Sequence, residues 1–590
     1  MQLERTAAAA DWLEAIEGNE SILLIAPHGG HAGPASRATL HPKVNDLYTA
    51  DITRELARAL GGSALINAGM DRNRLDCNRI EQLAKHAPWF LEMIAQRTEL
   101  LIERHGRAVI MLIHGWNIIE PRLDYGLGLR LRNGALVPAG AACVSASDAF
   151  INGPLNALSG RLEGRGIKPT FGSRYPGGAL QNLLQAFTQR HRLSDLRPLR
   201  KLGELAADNR IDAVQLELSV ALRLPGKIRA HAIEAIAASF GEAAQSSSAQ
   251  KASVDGNDGG RVVLRSPIPL TKRPAATVTA SPARVGIEFY DSRAKIGAMA
   301  SFDIGAGANG GRILVMLGGR RVGLFTGEGR PRVEDNRITL GPLGLLFSSD
   351  RVELSFGGAA IIVPDGTAYL SIERAIGSGA IDDAVRLSGE LQMASAGSLN
   401  LSSLMSGALG GDSSRAPIAR FGRLLGSIEI DGRRQALDAS ARIGFSMTNP
   451  GPFSIKSRRT IWVHFPDSLR LQAAEAQLVC GLAGERDLGG RLYVSEGPLD
   501  CEVEAVDIEA VAPEDSPAVV SVNLTSEERL HGAVESFIPL SRPGPEGTRI
   551  YTSLGFARFR MGELEGLGMY EYSRRTESPE SEDPDDSAEE

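Results

Sequence analysis

Short apolar runs alternate with helical patterns along the first part of the chain. Residues 21–26, 108–113 and 213–218 are apolar and bounded by turn-forming residues, which is typical of buried β-strands. The intervening stretches, of which 46–60 is a clear example, carry apolar residues at helical spacing. Strands separated by helices predict an α/β domain with a mainly parallel sheet over residues 1–240.

The hydrophobic pattern changes twice further along the chain. Residues 241–283 are small, polar and without periodicity, so they are predicted to be a flexible linker. Residues 284–575 consist of short alternating stretches punctuated by Gly, Pro and Asp, which predicts an all-β antiparallel region. Residues 398–414 are predicted to be a loop that divides this region into two subdomains. Residues 576–590 are predicted to form a disordered acidic tail.

Composition and charge narrow the class of protein. The formal net charge is −7, but residues 577–590 carry eight acids and no base, so the rest of the chain is nearly neutral. This balance excludes the basic footprint of a nucleic-acid binder. The four cysteines have no CxxC spacing, and no apolar run reaches the ~18–20 residues that span a bilayer, so a cytoplasmic protein without a membrane span is expected.

Two histidines share a distinctive position. His28 and His114 each lie at the end of a predicted apolar strand, and each is followed by glycine. The carboxyl ends of parallel strands meet at one crevice, where ligands bind. Two imidazoles there can converge on Zn²⁺, for which a third protein ligand is expected. His31 is the nearest candidate for that ligand and His41 is the reserve. The alternative is that strand-end histidines cap backbone carbonyls.

Two further features could carry chemistry. Glu217 lies inside the apolar strand 213–218, where a carboxylate must be paired, metal-bound or shifted in pKa, and a glutamate beside an activated water can act as general base and acid. The alternative is a solvent-facing carboxylate or a salt bridge to Arg223. Residues 71–79 are dense in Arg, Asp and Asn, which is typical either of a carboxylate-binding loop or of a solvated charged loop.

The α/β part resembles the N-formylglutamate amidohydrolase family, which is related in fold to zinc carboxypeptidases and aspartoacylases and is thus of a phosphorylase/hydrolase-like type. The resemblance covers about residues 20–225 and rests on six short pieces in order, which are Pro27-His28-Gly29-Gly30, Asp46-Leu47-Tyr48, Asp71-Arg72-Asn73-Arg74-Leu75-Asp76-Cys77-Asn78-Arg79, His114-Gly115, Tyr175-Pro176-Gly177-Gly178 and Leu216-Glu217-Leu218.

The resemblance implies a role for each matching residue. His28 and His114 would be zinc ligands, and Glu217 would be the general base and acid. Asn78 and Arg79 would grip the substrate carboxylate, with Arg74 and Asp76 supporting them. Arg223 is a further predicted substrate-binding residue. One departure is that related peptidases place a glutamate ligand soon after the first histidine, whereas here no acid occurs between His28 and Asn45.

The β-rich part resembles lipocalin-like proteins of the carotenoid 1,2-hydratase type. The matching pieces are residues 426–433, 462–466, 489–494 and 566–573, although the polar signature expected after the first of them is missing. The resemblance implies two antiparallel barrels or sandwiches around an apolar ligand. His464 and His531 are interpreted as structural or surface histidines.

The predicted function is metal-dependent hydrolysis of an amide bond next to a carboxylate, in a substrate of the N-acyl amino acid type. Zn²⁺ is the predicted cofactor, and the predicted partners are this small carboxylate substrate and an apolar ligand in the β region. The alternative is a catalytically degenerate hydrolase fold that acts with the β region as a binding protein for an apolar ligand or a protein partner.

Overall fold

The structure is a computed structural model that describes residues 11–29, 45–132, 135–249, 283–304, 310–393, 418–447, 455–468, 470–481, 486–494, 497–509, 515–524, 528–543 and 548–576. The chain divides into two compact units, the first ending at residue 276 and the second beginning at residue 277. Each unit is described by itself.

The first unit contains both strands and helices. Its strands in the described part of the chain are β1 (Leu13–Ile16), β2 (Ile22–Ala26), β3 (Ser63–Asn67), β4 (Ala108–Trp116), β5 (Arg122–Gly126), β6 (Leu129–Arg132), β7 (Ala135–Pro138), β8 (Lys168–Phe171) and β9 (Ile211–Ser219). Its α-helices there are α1 (Thr49–Leu60), α2 (Ile80–His86), α3 (Pro88–His105), α4 (Asp148–Phe150), α5 (Asn156–Glu163), α6 (Arg197–Ala207), α7 (Val220–Arg223) and α8 (Lys227–Ala249).

The main sheet of this unit is mostly parallel. Its described strands are ordered β1-β3-β2-β4-β9-β5-β8, and β6 and β7 form a separate hairpin. The pairs β2–β3, β2–β4, β4–β9 and β5–β8 are parallel, whereas β1–β3 and β5–β9 are antiparallel. The predicted α/β fold with a mainly parallel sheet is therefore confirmed.

Burial explains why the central strands read as continuous apolar runs. Every residue of β2 and of β9 is buried, as expected where helices cover both faces of a parallel sheet. Phe90 and Ile94 of α3 and Leu199 and Leu202 of α6 belong to the same core as the apolar residues of β2 and β4. The polar residues that interrupt these strands are therefore conspicuous, because each must find partners in the core.

The second unit consists mainly of strands. Those described are β10 (Ala283–Asp291), β11 (Ile296–Ile304), β12 (Gly310–Leu317), β13 (Val322–Gly327), β14 (Arg332–Glu334), β15 (Arg337–Leu340), β16 (Leu343–Phe347), β17 (Arg351–Val363), β18 (Ala380–Met393), β19 (Ile418–Ile430), β20 (Arg433–Met447), β21 (Ile455–His464), β22 (Leu471–Gly481), β23 (Arg486–Val494), β24 (Gly497–Cys501), β25 (Val503–Glu509), β26 (Val519–Leu524), β27 (Arg529–Pro543), β28 (Arg549–Met561) and β29 (Leu564–Thr576), together with the short helix α9 (Ile372–Ser378).

These strands form two antiparallel sheets in the described residues. The first is ordered β13-β12-β11-β10-β20-β19-β18-β17-β16-β15-β14, and an additional β13–β17 pairing closes part of it into a ring. The second is ordered β24-β23-β22-β21-β29-β28-β27-β26-β25. Each sheet encloses its own apolar core, with Phe289 and Phe302 in the first and Val463 and Phe559 in the second. The predicted all-β antiparallel region of lipocalin-like or sandwich type is confirmed. Residues 398–414, where a division was predicted, lie outside the described residues, and β18 and β19 on either side of them pair within the first sheet.

Aromatic and charged contacts connect the two sheets. The rings of Tyr290 and Phe556 are stacked with centroids 4.9 Å apart. Arg442 is hydrogen-bonded to Glu288 within its own sheet, at 3.2 Å, and to Glu475 of the other sheet, at 2.6 Å. The two halves of the β region thus pack against each other through both aromatic and charged contacts.

The predicted boundaries can be compared with the elements. Helix α8 continues to Ala249, so the first nine residues of the predicted linker 241–283 are helical. Residues 250–282 and the acidic tail from residue 577 lie outside the described residues. Within the described part of the chain, no helix combines the length and apolarity needed to cross a membrane.

His464, at the end of β21, predicts a pH-dependent stability of the second unit. The side chain is buried, its Nδ1 has no partner within the described residues, and burial lowers the pKa of the imidazole to about 4. The unfolded chain binds this proton at a pKa of about 6.5, so the unit is expected to lose about 3 kcal/mol of stability as the pH falls from 6.5 to 4. Hydrogen exchange of the β21 amides at pH 7 and pH 4.5 measures this loss.

The matched variants are His464→Gln and His531→Gln. The first should largely remove the acid sensitivity of β21, whereas the second changes an exposed histidine of the same unit and should preserve it. Equal acid sensitivity in both variants would show that another group causes the effect.

Candidate metal centre and active site

His28 and His114 are brought together by two adjacent parallel strands. β2 pairs with β4, His28 lies two residues beyond the end of β2, and His114 lies inside β4. Both side chains are buried, at 0% and 2% exposure, and their rings meet edge to face with centroids 5.0 Å apart. The predicted convergence of these two imidazoles at one end of the sheet is therefore observed.

A third side chain, Asp46, lies between the two rings. Its Oδ2 is 3.2 Å from Nδ1 of His28 and 3.2 Å from Nδ1 of His114. The backbone of Asp46 is itself fixed, because its N–H donates to the His28 carbonyl at 3.0 Å and its carbonyl accepts from Thr49 Oγ1 at 2.6 Å. Tyr48 has a φ of 68°, an unfavourable left-handed conformation for a non-glycine residue that is often held at functional sites.

Sequence reasoning did not assign a role to Asp46. The acid was sought between His28 and Asn45, and Asp46 is the next residue along the chain. His31, the predicted third ligand, and the reserve His41 lie outside the described residues. The available signal was that Asp46 begins one of the six pieces of the amidohydrolase resemblance.

The three side chains fit a divalent metal ion. Two imidazoles and one carboxylate form a donor set that suits zinc. In a tetrahedral site with bonds of about 2.1 Å, neighbouring ligand atoms stand about 3.4 Å apart. The two distances to Asp46 Oδ2 are close to this value, and one ligand atom from each of the three residues lies within 4.8 Å of the others.

The electrostatics favour a charged Asp46. Burial acts to raise the pKa of this carboxyl, but hydrogen bonds with His114 and His28 and the charge of Arg72 hold its pKa well below the ordinary value. Arg72 Nη1 donates to Asp46 Oδ1 at 3.1 Å, opposite the oxygen that faces the histidines. The carboxylate is thus ionised and oriented, as a metal ligand must be.

Asp76 orients the first histidine. Its Oδ1 lies 2.7 Å from His28 Nε2 and accepts the backbone N–H of Asn78 at 3.1 Å. A carboxylate on the second ring nitrogen fixes the tautomer and rotation of a metal-ligating histidine. Asp76, predicted in the substrate-binding set, therefore contacts a candidate metal ligand.

Glu217 lies on the strand next to His114. In the parallel pairing of β4 with β9, His114 and Glu217 are register partners. Glu217 is 4% exposed, burial raises the pKa of its carboxyl to about 7, and the amide of Gln215 donates to Oε1 at 2.6 Å. A carboxyl with this pKa can both accept and release a proton near neutral pH.

The rest of the charged loop borders this centre. Arg79 Nε is 3.8 Å from Asp76 Oδ2 and its side chain remains 45% exposed. Asn78 Oδ1 accepts the backbone N–H of Leu183 at 3.3 Å, and Arg74 is exposed. Asp76 thus places Arg79 near the histidine cluster, whereas a contact of Arg74 with the cluster is not observed in the described residues.

Arg223 is directed at protein acceptors. The side chain is fully buried, and its Nη atoms donate to the carbonyls of Leu47 and Trp116 and to Asn117 Oδ1, at 2.8, 3.3 and 2.7 Å. A Cβ at Gly115 would lie 2.6 Å from Arg223 Nη1, so glycine is needed beside this guanidinium. Arg223 therefore ties the Asp46 loop to the end of β4, and its predicted contact with substrate stays a prediction.

Comparison with known proteins finds structural matches alone. No family model matches the chain, and no curated protein sequence matches it. An AttH-like protein from Nitrosomonas europaea covers 50% of this chain and 92% of its own, with 14% identity and a TM-score of 0.32. Kievitone hydratase from Nectria haematococca covers 50% of this chain and 89% of its own, with 8% identity and a TM-score of 0.31.

A third match concerns a smaller share of the chain. N-formylglutamate amidohydrolase from Ralstonia eutropha JMP134 covers 40% of this chain and 99% of its own, with 12% identity and a TM-score of 0.28. The solved structures that match thus include an N-formylglutamate amidohydrolase and a kievitone hydratase.

Proposed function

We propose that the first unit is a metal-dependent amidohydrolase that cleaves an amide bond next to a carboxylate, in a substrate of the N-acyl amino acid type. The observation that carries this proposal is the convergence of His28, His114 and Asp46 at the end of the sheet, with Glu217 as the register partner of His114. A donor set beside a buried carboxyl of raised pKa is an arrangement typical of hydrolysis.

The three converging side chains would hold the ion and Glu217 would move the proton. When bound there, a divalent ion such as Zn²⁺ polarises the amide carbonyl and lowers the pKa of water. Glu217 would take a proton from the attacking water and deliver it to the leaving nitrogen, because its pKa of about 7 allows both transfers. The amide of Gln215 keeps Oε1 in place during these transfers.

Arg79 is the residue we propose for the substrate carboxylate. It is partly exposed, it is held near the centre by Asp76, and a guanidinium pairs with a carboxylate through two parallel hydrogen bonds. Asn78 and Arg74 flank it in the same loop, with Arg74 further out. The amide to be cleaved would therefore lie between the carboxylate at Arg79 and the proton carrier at Glu217.

A metal-removal experiment tests this function. The purified protein should contain about one zinc per chain. It should hydrolyse members of a panel of N-formyl and N-acetyl amino acids. Chelation of the metal should abolish this turnover, and added Zn²⁺ should restore it. Arg79→Ala should raise KM for these substrates about tenfold and have little effect on the corresponding amino-acid amides, which lack the carboxylate.

Arg104→Ala is the matched control, since it removes an exposed arginine from α3. Metal-free protein with no turnover of any panel member would contradict the proposal and favour a binding role for the whole chain. Turnover that chelation does not change would contradict the metal dependence alone.

A further inference from the structure

Asp124 is a buried carboxylate beside Glu217 that the proposed mechanism does not use. It lies on β5, is 0% exposed, and is the register partner of Glu217 in the antiparallel pairing of β5 with β9. Residues directly opposite each other in a sheet project from the same face. His114, Glu217 and Asp124 therefore form a row on one face of three neighbouring strands.

Both oxygens of Asp124 are occupied by donors from β8 and from the short loop that follows it. Oδ1 accepts the backbone N–H of Ser173 at 3.0 Å, its hydroxyl at 3.1 Å, and the Thr170 hydroxyl at 2.7 Å. Oδ2 accepts the backbone N–H groups of Arg174 and Tyr175, both at 3.1 Å. Three consecutive N–H groups thus point at a single carboxylate, which determines the path of the loop.

The other end of the loop is also fixed. The Pro176 carbonyl accepts the N–H of Gly128 at 2.7 Å, and the Gly177 carbonyl accepts the amide of Gln185 at 2.8 Å. A Cβ at Gly126 would lie 2.7 Å from the Tyr175 carbonyl, so the loop can lie against β5 because glycine is present there. Tyr175 is consequently held between two anchors.

Tyr175 lies beside the candidate active site. Its ring packs edge to face against Trp116, with centroids 5.8 Å apart and planes at 88°. Trp116 is two residues beyond His114 on β4, so the two side chains project from the same face of the sheet.

We propose that Tyr175 is a substrate-contacting residue and that Asp124 is the positioning residue that holds it at the site. Tyr175 presents a ring that forms one wall of the substrate site with Trp116, and a hydroxyl that can donate to a carbonyl or carboxylate oxygen. Asp124 acts through the loop, because its five donors belong to Tyr175 and residues that precede it. This inference rests on the proposed amidohydrolase function.

A double-mutant cycle on the full chain tests this coupling, with the best substrate of the N-acyl amino acid panel as the probe. Asp124→Asn places amide hydrogens against the N–H groups of the loop and should release it. KM should rise about tenfold with kcat changed less than threefold, and Tyr175→Ala should do the same. In the Tyr175→Ala background, Asp124→Asn should raise KM less than twofold, because two residues that act as one unit are not additive.

Hydrogen exchange and a matched control separate positioning from general structural damage. The amides of residues 173–175 should exchange faster in Asp124→Asn, with metal content unchanged. Asp212→Asn is the control, because Asp212 is a buried aspartate on β9 that also accepts a backbone N–H, from Ser147 at 2.7 Å. It should leave KM unchanged.

Each outcome decides one claim. A lower kcat with unchanged KM, or additive effects in the cycle, would mean that Asp124 acts on Glu217 or on stability, and would overturn the inference. If Asp124→Asn does not fold, the Thr170→Val/Ser173→Ala variant removes two of the five donors, and it should raise KM about threefold or overturn the inference. A wild-type protein that binds metal but hydrolyses no panel member would remove the proposed function itself, and the role of Tyr175 with it.

Discussion

Replacing Asp46 with alanine is expected to lower zinc affinity by more than about 100-fold and to abolish amide hydrolysis. Loss of an outer partner of a metal ligand alone costs about 10–100-fold in affinity, and Asp46 is proposed as a ligand itself. The variant leaves His28 and His114 without the carboxylate that lies 3.2 Å from both rings. Competition titration with a zinc chelator at pH 7.5, together with turnover at saturating zinc, measures both effects.

The Asp46→Asn variant separates the effect of the negative charge on zinc affinity from the effect of side-chain size. Asparagine keeps the size of the side chain and can still receive the hydrogen bond from Arg72, but it removes the negative charge that two imidazoles and a cation would share. An intermediate loss of affinity is therefore expected. Asp51→Asn is the matched control, because Asp51 lies five residues further along, is half exposed and pairs with Arg54. Wild-type zinc affinity in Asp46→Ala would remove this carboxylate from the metal site.

The histidine pair could be predicted from sequence because two simple regularities coincide there. A short apolar run followed by His-Gly indicates a strand end, and parallel strands bring their carboxyl ends together. The structure places His28 and His114 on neighbouring strands β2 and β4, as this reasoning requires. Glu217 could also be predicted from sequence, because a carboxylate inside an apolar strand must be paired, metal-bound or shifted in pKa.

Asp46 and Asp124 could not be predicted in the same way, because tertiary contacts determine their roles. Asp46 reaches the rings through a loop in which Tyr48 adopts a left-handed conformation, a choice that local propensity does not favour. Nothing in the local sequence distinguishes Asp124 from any other aspartate in a short strand. Its role becomes visible only in its contacts with the loop after β8. The sequence likewise places Arg223 near Glu217 but does not indicate that its guanidinium turns towards the carbonyls of Leu47 and Trp116.

In the β region, too, some features could be predicted from sequence and others could not. Alternation of apolar and polar residues predicts many short strands with antiparallel pairing, and the structure confirms this. The pairing of β13 with β17, which closes part of the first sheet, joins segments that are distant in the chain order and carries no local signal. The predicted apolar ligand of this region stays a prediction, since the described cores are lined by packed side chains such as Phe289 and Phe302.

Replacing Glu217 with glutamine is expected to remove most of the turnover while leaving the zinc content unchanged. Turnover should fall about 10³-fold, because glutamine cannot accept or release the proton that general acid–base catalysis requires. Zinc content should remain at the wild-type level, since Glu217 is outside the converging set of His28, His114 and Asp46. Unchanged turnover would remove Glu217 from the mechanism.

The same substitution should stabilise the metal-free protein at alkaline pH. Burial raises the folded-state pKa of Glu217 from 4.5 to about 7, so the folded chain binds this proton more tightly than the unfolded chain does. The stability that the protonated carboxyl contributes is present below pH 4.5 and is lost as the pH rises through 7, by about 3 kcal/mol in total. The glutamine side chain of the Glu217→Gln variant is uncharged at every pH. The variant should therefore be more stable than the wild type at pH 8.5, by up to about this amount, and nearly equal to it in stability at pH 4.5.

Urea unfolding of both proteins in the presence of a chelator measures this difference in stability. A carboxyl that costs stability when ionised and is required for turnover is the signature expected of a residue retained for catalysis, whereas a purely structural Glu217 would lose stability on replacement at both pH values.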